Sequence, residues 1–126
     1  MIIMREQLIV PILVTIGLIL GSPVYADENN WTTQDTVLES IHLGLSVVDW
    51  HQTREIAKSN GYWHEYNPYL GRHPSVRKVD NYMAVCMILH PLVAIALPHP
   101  YRDWFQFFSI GLETGCVSVN YKIGIR

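Results

Sequence analysis

Four ionisable side chains, His42, Asp49, His90 and Glu113, fall well inside three largely apolar stretches. Read as antiparallel helices with outer ends at Thr36, Leu97 and Pro100, these stretches place Asp49 and Glu113 each 13 residues in. His42 and His90 are then 6 and 7 residues in. At about 1.5 Å per residue, the two carboxyl groups share a level near 20 Å and the two imidazoles a level near 10 Å. Two carboxylates at one level cannot both ionise cheaply, so one holds a proton or the two share a cation. That chemistry would be a proton site, a cation site, or a buried metal centre completed by His90. The competing reading is helix–helix hydrogen bonding, with Asp49 or Glu113 protonated or bonded to Ser46 or Asn120.

A second set lies in the segment after the first helix: His51, His64, Glu65, Asn67 and His73. Histidines with a carboxylate can bind zinc, but this spacing matches no standard zinc pattern. Asn67-Pro68-Tyr69-Leu70-Gly71 reads first as a turn, because Asn-Pro initiates one and Gly tolerates positive φ. Cys86 and Cys116 are offset by about 7 Å along their helices, which would strain a disulfide, so two free thiols are expected.

Three helices must position these groups. The first is expected over residues 36–57, with Thr36 and Glu39 at capping-box spacing. Its polar residues Glu39, His42, Ser46, Asp49 and Thr53 step by three or four and form a narrow stripe on an apolar body. The second, over 76–97, has Ser75 as a cap, and from Tyr82 to Leu97 only His90 and Pro91 interrupt it. The third, over 100–121, opens on a first-turn proline. It carries a stripe of Gln106, Ser109, Glu113, Cys116 and Asn120, with Gly111 and Gly115 opposite at a spacing that allows close helix approach.

Ahead of these helices, Arg5, an apolar run from Leu8 to Leu20, and Val24 and Ala26 before Asp27 give the pattern of a signal peptide cleaved after Ala26. The expected organisation is therefore a signal peptide over 1–26 and one all-α domain over 27–126, a three-helix transmembrane bundle. Apolar residues make up 49% and charged residues 16% of the chain, which excludes disorder. A net charge of -2 argues against a nucleic-acid partner. If Arg5 is inside and the chain alternates sides, eight of the 9 basic residues lie inside and only Arg102 outside. Aromatic clusters at Tyr101–Phe108 and at Tyr62–Tyr82 suit the two bilayer interfaces. The expected location is the inner (cytoplasmic) membrane, with the mature N-terminus outside and the C-terminus cytoplasmic.

The residues Asp49-x-x-Gln52-Thr53, followed by Glu65-x-Asn67-Pro68-x-Leu70-Gly71-x-x-Pro74, resemble a group of uncharacterised small helical membrane proteins of bacteria and their phages. The resemblance covers about Asp49 to Leu97. It implies a membrane architecture and no catalytic role, and it directs attention to Asp49, Thr53, Glu65 and Asn67.

The sequence carries no nucleotide loop, zinc cluster or catalytic elbow. The first expectation is a non-enzymatic accessory or interaction protein of the membrane. It needs no cofactor, and its partners are the lipid bilayer and either itself or another membrane protein. The alternative is a proton-, cation- or metal-binding membrane protein using Asp49, Glu113 and His90. A third is a soluble periplasmic helical binding module, whose stripes would face water.

Overall fold

The computed structural model describes residues 30–126, so the expected signal peptide lies outside the described residues. Three long α-helices form and no strand occurs among the described residues: α1 (Thr33–Lys58), α2 (Val76–Ala96) and α3 (His99–Lys122). Helix α1 starts one turn before the expected Thr36. Its cap is Thr32, whose hydroxyl accepts from the Asp35 N–H at 3.1 Å, while the Thr32 N–H donates to Asp35 Oδ2 at 2.7 Å. This reciprocal box satisfies two otherwise unpaired amides. Thr36 instead lies inside the first turn, where its hydroxyl accepts from the Trp31 indole. The spacing Thr36–Glu39 was matched by an identical one, Thr32–Asp35, and only the second has both partners in reach.

Helix α2 is capped by Ser75, whose Oγ accepts from the Lys78 N–H at 3.2 Å, and it continues through Pro91. Pro98 and Leu97 alone separate α2 from α3, and a link that short forces the two helices antiparallel. Helix α3 carries Pro100 in its first turn, as expected of a residue that needs no amide partner there.

The segment between α1 and α2 folds as the turn expected from Asn-Pro. The Asn67 side chain accepts from the Tyr69 N–H, and its carbonyl accepts from the Leu70 and Gly71 amides. Gly71 takes φ 78°, a conformation that favours glycine. The turn drives Leu70 into a small apolar cluster with Val79 and Met83, against Trp50, Ala57 and Tyr82. Beside it, the Trp50 indole and the Arg54 guanidinium both donate to Asp80. These contacts join the α1 end to the α2 start.

Along the helices, polar and charged side chains are buried beside apolar ones. The largest fully buried side chains are Arg102, Gln52, Gln106, Val79 and Asp35. Ile88, Leu89, Leu92, Ile95, Phe107, Phe108 and Leu112 are exposed.

Candidate functional site

The two polar stripes face each other. Helices α1 and α3 run parallel, because residue pairs 35/102, 39/106 and 46/113 contact at a constant separation of 67. Helix α2 runs antiparallel to α1, with Glu39 opposite His90 and Trp50 opposite Asp80. The result is a polar seam along the axis of the three-helix arrangement.

At the end nearest the α2–α3 link, Arg102 is fully buried. Its guanidinium donates to Asp35 Oδ2 at 3.0 Å and to the carbonyls of Ala94 and Leu97. Those carbonyls lie at the C-terminal end of α2, where acceptors outnumber intrahelical donors; the Ala94 carbonyl also accepts from the Leu97 N–H. Arg102 thereby ties the α2 end to the α1 start, and the Trp31 ring covers it at 5.2 Å.

One turn further in, the Gln106 amide donates to Glu39 Oε2 and to the Asp35 carbonyl, both at 3.1 Å. The second Glu39 oxygen meets His90 Nδ1 at 2.8 Å. The His90 ring is sandwiched, with His42 stacked at 3.6 Å on one contact and Phe105 at 4.4 Å on another. His42 Nε2 lies 3.5 Å from Ser46 Oγ, which donates to Glu113 Oε1 at 3.3 Å. Deeper still, the Asn120 amide donates to Asp49 Oδ1 at 3.4 Å and to Gln52 Oε1 at 3.1 Å, and the Gln52 amide donates to the Ile125 carbonyl.

Proton positions follow from this pattern. Ser46 gives its hydroxyl proton to Glu113, so its oxygen accepts from His42 Nε2–H. His90 gives Nδ1–H to Glu39. The remaining ring nitrogens, His42 Nδ1 and His90 Nε2, are buried and have no hydrogen-bond partner. In that arrangement each is an acceptor without a donor inside the seam.

The shared levels expected from residue counting are found for the imidazoles, which stack. Asp49 and Glu113 lie within electrostatic reach of each other, and Glu65 of the turn is within reach of Asp49. Their direct hydrogen bonds are those of the competing reading: Ser46 to Glu113 and Asn120 to Asp49. His90 does not complete a centre with Asp49 and Glu113. It bonds Glu39, which lies opposite it across the α1–α2 contact. The set of three at metal-ligand spacing among the described residues is Asp35, His99 and Asp103.

Thr53 is buried on the same α1 face, while Glu65 and Asn67 stay in the turn, where Glu65 Oε1 accepts the Asn67 N–H. His64 and His73 meet edge to face at 4.8 Å, without a third ligand. Cys86 and Cys116 are free thiols.

Sequence reasoning missed Asp35 and Arg102. The signal was present: Asp35 extends the α1 stripe by four residues from Glu39, and Arg102 extends the α3 stripe by four from Gln106. No protein-family model, no curated protein and no solved structure matches the chain.

Proposed function

We propose that this is a small integral membrane protein whose three helices span the bilayer, and that its polar seam binds protons and passes them between imidazole and carboxyl groups. One observation carries the reading. Over residues 36–50, 81–97 and 104–121 no Asp, Glu, Lys or Arg is exposed, whereas Glu39 and the His42–His90 pair are enclosed. A surface of that kind suits lipid, and ionisable groups inside a membrane characteristically face the bundle interior and pair.

Among the described residues, only α2 is long and apolar enough by composition alone to cross a membrane. Helices α1 and α3 carry more polar residues, among them Glu39, His42, Gln106 and Asn120, which lie buried or partly buried in the seam. Exposed aromatics favour the same placement: Tyr101 and Trp104 near one end, Tyr62, Tyr66 and Tyr69 at the other. The basic residues Arg72, Arg77 and Lys78 lie at that second end, which the positive-inside rule makes cytoplasmic. The inner membrane, an outward mature N-terminus and the resemblance carried by the Glu65–Pro74 turn belong to this reading.

The relay is short and balanced. A proton arrives on His42 Nδ1. The Nε2 proton moves to Ser46 Oγ as the Ser46 hydroxyl proton passes to Glu113. Glu39 holds the neighbouring imidazole in register through His90 Nδ1. Burying such groups is expensive, and apolar side chains would pack the helices at less cost.

The test has two stages. The protein should stay in membrane pellets after an alkaline carbonate wash; release would instead identify a soluble binding module. Reconstituted in vesicles with an interior pH dye and a potassium diffusion potential, it should acidify or alkalinise the lumen. Glu113→Gln should cut that flux at least tenfold while leaving the unfolding temperature near the parent value. Membrane retention without flux would leave the non-enzymatic accessory reading. One observation favours it: Gly111 and Gly115 are exposed with nothing within 4 Å of an added Cβ, a surface open to another helix.

A further inference from the structure

Asp35, His99 and Asp103 come together at the end of the seam nearest the α2–α3 link. Each offers one ligand atom, and these atoms lie within 4.8 Å of one another. They come from two helices, Asp35 from the first turn of α1 and His99 and Asp103 from the first turns of α3. His99 Nδ1 approaches Asp103 Oδ2 to only 3.6 Å, too long for a hydrogen bond.

Two further facts point to a ligand. Asp35 has a fully buried side chain, and its Oδ1 has no hydrogen-bond partner. Asp103 Oδ1 is likewise buried and without one. Both are acceptor-only atoms when ionised, so a donor or a cation is required to satisfy them. Arg102 does not fill that role for Oδ1, since its bond to Asp35 goes to Oδ2. The Thr32 contacts also use Oδ2.

We propose that Asp35, His99 and Asp103 form a binding site for a divalent transition-metal ion. Two carboxylate oxygens with one imidazole nitrogen are a donor set for zinc or manganese, whereas calcium and magnesium take oxygen ligands. With metal–ligand bonds of about 2.0–2.2 Å, atoms on one ion lie about 3.0–3.6 Å apart, so these three, within 4.8 Å of one another, would draw together by up to about 1–2 Å on binding. His99 and Asp103 are partly exposed, which gives the ion a path and leaves coordination positions for water. Arg102 closes the other side by fixing Asp35. The bound ion would clasp the start of α1 to the start of α3, and it is independent of the proton relay.

Zinc titration of the purified full chain, followed by calorimetry, tests this. One zinc per chain is expected. His99→Ala and Asp103→Asn should each weaken binding at least tenfold. His64→Ala/His73→Ala, which removes the stacked histidines of the turn, should bind as the parent does. Asp35 is left intact because its loss would also remove the Arg102–Asp35 ion pair. Unfolding temperature without metal should match the parent in His99→Ala and Asp103→Asn, so a binding loss reports the ligand set and not the fold. Cobalt should give a visible spectrum that disappears in both single variants. Absence of zinc binding by the parent overturns the proposal. So does unchanged binding in either single variant, or loss of binding in the turn variant.

Discussion

The two halves of the seam differ in how tightly they are closed. In the half near the α2–α3 link, Asp35, Arg102, Gln106, Glu39 and His42 are all buried, and contacts fall between 2.8 and 3.1 Å for Arg102–Asp35, Gln106–Glu39 and His90–Glu39. In the other half, Asp49, Glu113 and Asn120 are only partly buried, and the contacts lengthen to 3.3 Å for Ser46–Glu113 and 3.4 Å for Asn120–Asp49. Both halves contain carboxyl and amide side chains, but the arginine and the stacked histidines belong to the closed half. A charge enclosed on all sides requires a matched partner, whereas a partly exposed one keeps some solvation. The closed half therefore fixes the helices, and the looser half keeps part of its solvation.

Breaking the closed half should cost most. Arg102→Ala leaves the Asp35 carboxylate buried without its counter-charge and should destabilise by about 3–5 kcal/mol. Denaturant unfolding in mild detergent measures this. The pair Arg102→Met with Asp35→Leu should recover much of the loss, because two apolar groups carry no desolvation penalty. Next, His90→Ala removes the Glu39 partner and one ring of the stack, with an expected cost of about 2–3 kcal/mol. That variant should also lose proton flux.

The looser half should tolerate change. Asn120→Ala deletes a long bond to Asp49 and a 3.1 Å bond to Gln52 from a partly exposed donor and should cost about 1 kcal/mol. A larger loss would mean that the two halves do not differ as their geometry indicates. The smallest effect is expected at the edge of the bundle. Asp80→Asn weakens the half-exposed Arg54 ion pair and should change stability by less than about 1 kcal/mol, less still at high salt.

Much of the fold was legible in the residues. Stripes such as Glu39, His42, Ser46 and Gln106, Glu113, Asn120 repeat at helical spacing, and that spacing sets one face of each helix whatever packs against it. The Asn67-Pro68 turn and the Ser75 cap were legible for the same reason, since both are local hydrogen-bonding preferences. The α1 start was less so, because Thr32–Asp35 and Thr36–Glu39 have the same spacing and only one makes both bonds.

Pairing was harder to read. Counting residues put His42 level with His90, and the rings stack, since rise per residue is nearly constant in α-helices. Counting could not choose Glu39 over Asp49 or Glu113 as the His90 partner. That choice depends on how each helix is rotated about its axis and on which neighbour it touches. Nor could it join Asp35 to Arg102, which are 67 residues apart.

Local residue patterns therefore specified three helices, their polar faces, the turn between the first two and the shared level of the two imidazoles. These follow from local geometry. Packing between distant segments set the rest: the faces close on one another, Arg102 is sealed against Asp35, and Asp35, His99 and Asp103 converge. Those outcomes depend on contacts between residues distant in the chain, where the enclosure of one charge is set by the placement of another.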